Sequence, residues 1–383
     1  MRRKGFTAEH IQFRDSVRDF ISHEIAPHFA DWERAGQVSW DLYAKAGDMG
    51  LMGMKVPGEY GGGGITDIRF ETILQEELAG SGMLGAGQGL VTHQLVVDYL
   101  LRLADDEQKK RWLGSIAAGE ILCGIAMTEP GTGSDLSAIS TRAVRRGDTY
   151  VINGAKTFIS SGVLGRLYVL VTRTGDQNNA HERLSLIVVE DGTPGFSRGR
   201  NLDKIGQHSA DTAELSFVDA HVPASNLLGE EGCGFHYLVQ NLPAERLMIA
   251  AAATAHARIA FDETLNYVKS RVAFGRAVGT FQHNRFTLAT MKTELDLAQA
   301  FVDRQIEAYE DGELTAEDAA EAKWWCTDLN RRVLDGCLQL HGGYGYMEEY
   351  PIARLWRDGR AMSIYGGTNE IMKDLIGRRM LGL

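Results

Sequence analysis

Between Ile125 and Asp135 the chain reads Ile-Ala-Met-Thr-Glu-Pro-Gly-Thr-Gly-Ser-Asp. Pro130 has no N–H and ends regular strand pairing. Gly131 and Gly133 let the backbone bend and approach a ligand closely, and Thr128 and Ser134 add hydroxyls. The run either cradles a ligand or is a strand followed by a Gly-rich turn. A second candidate is Glu245 in Leu242-Pro243-Ala244-Glu245-Arg246. It is either a general base or an ordinary acid in the first turn of a helix, where the dipole favours it. A third is Arg271, followed by Phe274, Gly275 and Gln282. It either offsets phosphate charge or is a surface arginine at a helix end. The run Gly82-Met83-Leu84-Gly85-Ala86-Gly87 lacks the G-x-G-x-x-G order, and no strand precedes it, so a Rossmann-type site is excluded.

These residues need elements to position them. Phe13, Val17, Phe20, Ile21 and Ile25 recur at helical spacing up to Pro27, and residues 41–52, 68–78, 90–103 and 106–118 continue helical patterns. Segments 150–156, 167–172, 184–190 and 213–222 are short, rich in β-formers and separated by turn signals such as Asn153-Gly154 and Asp191-Gly192. Helix returns over 244–268, 281–310, 316–340 and 369–381. The order predicts an α+β chain: a helical domain over 1–120, a β domain over 121–235 and a helical bundle over 236–383.

Composition narrows the function classes. With 40 basic and 51 acidic residues among 383, the formal charge is −11, which argues against nucleic acid as a partner. The four cysteines are scattered, with no C-x-x-C and no H-E-x-x-H, so neither a metal site nor a disulfide framework is expected. No stretch resembles a signal h-region or spans a bilayer, so a cytoplasmic protein without a membrane span is expected. An anionic coenzyme would therefore be held by a few placed groups and not by a positive field.

Five segments together resemble the acyl-CoA dehydrogenase family, closest to its long-chain subfamily: 125–135, 152–160, 271–282, 339–346 with Glu349-Tyr350-Pro351, and 364–371. The resemblance implies a helical N-terminal domain, a β-barrel-like middle domain and a C-terminal four-helix bundle around FAD. It places Ile125, Met127, Thr128, Gly133 and Ser134 along the flavin, with Phe158, Ile159 and Ser160 at the ring. Many relatives carry Trp where this chain has Phe158, which keeps stacking area but loses the indole donor. Arg271, Phe274, Gln282, Gln339, Gly342 and Gly343 are implied to touch a neighbouring subunit's FAD, and Thr368 and Glu370 to hold the cofactor from the last loop. A homotetramer built as a dimer of dimers follows.

The reaction implied is α,β-dehydrogenation of an acyl-CoA, with electrons passed to an electron-transfer flavoprotein in fatty acid β-oxidation. The α proton is weakly acidic, so its base must be close and partly desolvated. Many relatives carry that Glu just before the final Gly-Thr, where this chain has Gly366. Glu245 occupies the position used by the long-chain and isovaleryl branches, and the backbone N–H of Gly366 still polarises the thioester, a contribution of about 3–4 kcal/mol. Pro243, Arg246, Tyr365 and Gly367 are implied around the acyl group, Ser134 beside substrate as well as flavin, and His181 and His236 near the coenzyme A tail. Gly80, Gly82, Gly85, Gly87 and Gly89 fall where relatives build the deep end of the acyl tunnel; they either leave a long cavity or mark a loop. A branched short-chain dehydrogenase, an oxygen-using flavin oxidase or monooxygenase, and a non-catalytic acyl-CoA-binding protein are the competing readings. Glu245 argues against the monooxygenases that lack a base, and the intact flavin positions argue against the non-catalytic protein.

Overall fold

The computed structural model describes residues 3–175 and 182–383. Helix α1, Ala8–Phe20, is followed by a wider turn over Ile21–Ile25, then α2 (Phe29–Ala35), α3 (Asp41–Asp48), α4 (Ile68–Gly80), α5 (Leu84–Leu103) and α6 (Asp106–Ala117). The start of α6 is a capping box: Asp105 accepts from the Gln108 N–H at 2.8 Å, and the Asp105 N–H donates to the Gln108 side chain at 3.0 Å.

Helix α5 begins at Leu84, not Leu90, and runs through Gly85, Gly87 and Gly89, three of the glycines expected to line a tunnel or mark a loop, while Gly80 ends α4 and Gly82 lies in the turn between the helices. A Cβ on Gly87 would meet Leu78 at 3.0 Å, one on Gly85 would meet Ser209 Oγ at 2.7 Å, and one on Gly89 would collide with Tyr43. Their smallness serves close packing of α5 against α4, α3 and the sheet region. A leucine at 87 would crowd Leu78, so this position does not test acyl-chain length.

The middle region folds as β1 (Cys123–Ala126), β2 (Arg142–Arg146), β3 (Thr149–Ser160), β4 (Leu167–Arg173), β5 (Leu184–Glu190), β6 (Phe196–Asn201), β7 (Thr212–Pro223) and β8 (Leu227–Leu228). Among the described residues these form one mixed sheet in the order β6-β7-β3-β2-β4-β5-β8, with β1 pairing parallel to β4. The path stays open between its β6 and β8 ends, so the barrel-like expectation is corrected to an open sheet. Register shifts in β3 opposite β7, at 152–154 and 156–159, bend that strand locally.

The third region holds α7 (Gly234–Ser270), a tight hairpin β9–β10 (Val272–Ala273 and Arg276–Ala277), α8 (Gln282–Glu310), α9 (Ala316–His341), α10 (Pro351–Gly359) and α11 (Asn369–Leu381). Helix α7 passes through Pro243. That residue leaves the carbonyl four positions earlier without its usual donor; Val239, which carries it, is exposed. Ala250, Ala251, Ala252 and Ala253 are all buried and let α7 pack closely against its neighbours.

The main core joins the two ends of the chain. Ile68, Ala79 and Leu84 share one cluster with Leu247, Ala250, Leu295 and Val333. Thr72 Oγ1 lies 3.9 Å from Met248 Sδ, 176 residues away. A second cluster packs α5 and α6, through Val96, Leu100 and Trp112, onto Val169, Val171 and Leu186 of the sheet. Among the described residues no helix is long and apolar enough to cross a membrane.

Candidate active site

Glu245 is buried on α7, two residues past the proline. Tyr99 of α5 donates its hydroxyl to Oε1 at 2.9 Å, and Asn241, one turn earlier on α7, donates its amide to the same oxygen at 3.2 Å. Burial raises the carboxyl above its ordinary pKa; the Asn241 and Tyr99 hydrogen bonds and the Arg246 charge pull the other way. This is the environment a general base requires. Arg246 is also buried, and its Nε has no hydrogen-bond partner among the described residues.

Opposite lies the turn Tyr365-Gly366-Gly367-Thr368. Gly366 and Gly367 have φ of +65° and +90°, a conformation that favours glycine. A Cβ on Gly366 would collide with Ile249, one helical turn beyond Glu245, and one on Gly367 would lie 3.9 Å from Arg246 Nη2. The glycine turn therefore packs against residues 246–249 of α7, a stretch that starts one residue past Glu245. Lys323 of α9 is fully buried and holds the turn, donating to the Gly367 carbonyl at 2.6 Å and to Asn369 Oδ1 at 3.1 Å. Burial, followed by the nearby Arg246 charge, pushes its ammonium down to about 8. Thr368 caps α11 by accepting the Ile371 N–H at 3.3 Å, and Glu370 lies exposed in the first turn.

The 125–135 run is a strand that opens into a loop, with features of both readings of the sequence. Ile125 lies in β1, and Met127 and Thr128 follow it. Thr128 accepts the Thr157 N–H at 2.9 Å, tying the loop to β3. Lys156, fully buried, donates to the Met127 carbonyl at 2.8 Å and to Glu129 Oε1 at 2.9 Å. Glu129 also accepts from Ser140 N, Ser140 Oγ and Thr141 N at 2.8, 2.6 and 2.8 Å. Burial alone would raise the Glu129 carboxyl, but those hydrogen bonds and the Lys156 charge hold it at about 2. Gly133 and Ser134 lie exposed beyond this clamp, and a Cβ at Gly131 would meet nothing within 4 Å.

Because the Glu129 pKa is lowered on folding, its stabilising contribution is complete above the ordinary carboxylate value and is lost as pH falls through about 2. Acid unfolding followed by tryptophan fluorescence should therefore be shallower for Glu129→Gln than for the native chain below pH 4; parallel curves would refute this.

Phe158, Ile159 and Ser160 end β3, with Phe158 69% exposed at φ +59° and Ile159 buried. Phe274 is 95% exposed at φ +51°. With Gly275 at φ +78° it forms the two-residue turn of the β9–β10 hairpin, where positive φ is required at both positions. Both phenylalanines are thus exposed and held at positive φ. Arg271, Gln339, Gly342 and Gly343 line one cavity of about 940 Å³, with the Arg271 guanidinium 5.3 Å from the Tyr344 ring centroid. Gln282 starts α8 beside this cavity without lining it, and Phe274 also stays outside its wall. His236 is exposed on the first turn of α7 and contacts Gln240 at 2.7 Å, whereas His181 lies outside the described residues.

Sequence reasoning missed Tyr99, Asn241, Lys156 and Lys323. Asn241 was within reach, since it stands four residues before Glu245 on one helical face. The other three had no local signal.

Exposed aromatic residues at positive φ, open glycine loops and the Arg271 guanidinium in the cavity wall fit a large heteroaromatic, anionic cofactor. Three family models match the chain: the acyl-CoA dehydrogenase N-terminal domain over residues 7–120, the middle domain over 124–220 and the C-terminal domain over 232–381. The long-chain specific acyl-CoA dehydrogenase of Sus scrofa mitochondria is 44% identical over 380 residues, covering 99% of this chain and 88% of that protein. The crystal structure of an acyl-CoA dehydrogenase from Geobacillus kaustophilus superimposes with a TM-score of 0.96 at 45% identity, covering 99% of this chain and all of that one. A glutaryl-CoA dehydrogenase from Mycobacterium smegmatis, solved in complex with FADH2, matches with a TM-score of 0.90 at 25% identity, over 98% of this chain and 95% of that one. The chain belongs to the acyl-CoA dehydrogenase family of FAD-dependent oxidoreductases.

Proposed function

We propose that this enzyme dehydrogenates medium-long to long straight-chain acyl-CoA to trans-2-enoyl-CoA in fatty acid β-oxidation and passes its electrons to an electron-transfer flavoprotein. The observation that carries the chemistry is Glu245: a buried carboxylate, held on one oxygen and raised by burial, on the helix that packs against the glycine turn. Glu245 removes the α proton. The N–H of Gly366 donates to the thioester oxygen as negative charge develops there, with Lys323 keeping that turn in place. The 125–134 loop, Phe158 to Ser160, Thr368 and Glu370 would hold FAD, which when bound would supply the acceptor for the β hydride. Tyr365, Pro243 and Arg246 border the acyl group, and Ser134 and His236 lie along the coenzyme A side. The preference for long chains is supported by the 44% identity to the long-chain enzyme, with each added methylene contributing about 0.8 kcal/mol in an apolar channel.

The test is anaerobic titration with saturated acyl-CoAs of graded length, following flavin bleaching. Bleaching strongest between roughly decanoyl- and hexadecanoyl-CoA is expected, as apolar burial accumulates along the chain. Best turnover with isovaleryl-CoA and none with dodecanoyl-CoA would instead assign the branched-chain activity. Rapid oxygen consumption during turnover would assign an oxidase.

We further infer a homotetramer, a dimer of dimers, in which Arg271, Phe274, Gln282, Gln339, Gly342 and Gly343 reach the neighbouring subunit's FAD. Arg271→Ala is then expected to weaken FAD retention and subunit association together, because each stabilises the state that binds the other. Sedimentation with absorbance at the flavin band checks it; a monomer retaining stoichiometric FAD would overturn it.

A further inference from the structure

The two oxygens of Glu245 are not equivalent. Oε1 takes both hydrogen bonds, from Tyr99 at 2.9 Å and Asn241 at 3.2 Å. Among the described residues no donor reaches Oε2, and Oε2 is not among the sealed polar atoms that lack a partner. From this geometry we propose that Oε2 is the proton-accepting atom of Glu245, and that Tyr99 and Asn241 are the positioning residues that make it so. The inference rests on Glu245 being the base.

The chemistry follows from lone pairs. Two donors on Oε1 occupy the directions a proton would take there. Tyr99 is buried and its own hydroxyl is held protonated, first by burial and then by the Glu245 charge, so it acts as a donor throughout. When the α proton arrives, it lands on Oε2, and Oε1 becomes the carbonyl oxygen of a neutral acid that still accepts both bonds. Neither the tyrosine nor the amide needs to reorient during the step, which keeps the site preorganised.

The same bonds set basicity. Donors favour the charged form and lower the pKa, and burial opposes them. The other charges around Glu245 come from each packed element. Arg246 lies beside it on α7, Glu71 comes from α4, and Asp98 and Arg102 flank Tyr99 on α5. Lys55 pairs with Glu71 at 2.5 Å and with Asp98 at 2.6 Å, so that cluster carries both signs. Among the described residues Tyr99 and Asn241 alone touch the carboxylate by hydrogen bond, and both are neutral. Removing either takes away a bond without altering the charges.

The experiment is stopped-flow flavin reduction of the FAD-loaded enzyme by dodecanoyl-CoA, followed against pH, for the native chain, Tyr99→Phe, Asn241→Leu and Glu245→Gln. Each donor variant should move the acidic limb of the profile to higher pH by about one unit, giving a roughly tenfold loss on the acid side that is regained at alkaline pH. A readout independent of turnover is the infrared carboxylic-acid band of Glu245, identified by its disappearance in Glu245→Gln. Its titration should shift in the same direction in both donor variants. If Tyr99→Phe is unstable, Asn241→Leu carries the same test from the other element. Unchanged limb and band, or a rate loss equal at every pH, overturns the proposal while Glu245→Gln still shows the base reading correct. Flavin reduction surviving in Glu245→Gln overturns the base reading itself.

Discussion

Glu245→Gln is expected to keep its yellow FAD and to bind acyl-CoA, yet to reduce its flavin about 10²–10⁴-fold more slowly, the usual scale for loss of a general base. Glutamine preserves the shape of the side chain and accepts the Tyr99 and Asn241 bonds through its carbonyl, so the fold and the pocket survive while the proton acceptor is removed. Flavin bleaching at near-native rate would end the assignment. The alternative base position can be tested on the same background. Gly366→Glu places a carboxylate at the turn, but its Cβ meets Ile249 and its φ of +65° strains any side chain. Ile249 contributes only the end of a flexible side chain to that clash. Recovery is therefore expected when Ile249→Ala accompanies Gly366→Glu, with weaker recovery from Gly366→Glu alone.

Lys156→Met is expected to lower stability by about 3–5 kcal/mol, because it leaves the buried Glu129 carboxylate without its cation. The loss should extend to cofactor binding. Lys156 also holds the Met127 carbonyl at the head of the 125–135 loop, so its removal frees the loop proposed to hold the flavin. The double variant Lys156→Met with Glu129→Gln should recover much of the stability, since no unpaired charge remains, but less of the FAD affinity. Equilibrium denaturation and FAD titration separate the two. Unchanged stability in the single variant would show that the pair does not anchor the loop.

Long periodic elements were legible in the sequence: α8, α9 and α11 lie within a residue or two of where helical spacing put them, and β5 matches residue for residue. What escaped was decided by packing between distant segments. Strand β2, Arg-Ala-Val-Arg-Arg, looks like a solvated charge run and becomes a strand because β3 pairs with it. Strand β6 shows no clean alternation and is held as an edge by β7. The start of α5 was hidden by glycines whose worth appears only once Leu78 and Tyr43 lie against them. The start of α7 was hidden by Pro243, although a helix tolerates a proline where the orphaned carbonyl reaches water. At the site the motif residues were readable because they cluster in short runs. Tyr99 was not, standing 146 residues from the carboxylate it holds, and neither Lys156 nor Lys323 could be told from a surface lysine before its burial was seen.

The core that binds the first helices to α7 has a consequence for how the protein is made. The apolar face of α4 waits for a segment 176 residues further along the chain. At about 5–20 residues per second, a ribosome needs roughly 10–35 s to deliver it. During that interval Ile68, Ala79 and Leu84 have no α7 to cover them. The nascent chain is therefore at its most aggregation-prone after its N-terminal helices and sheet have emerged and before its alanine-rich rod has, and that is the stage at which a chaperone would have most to protect.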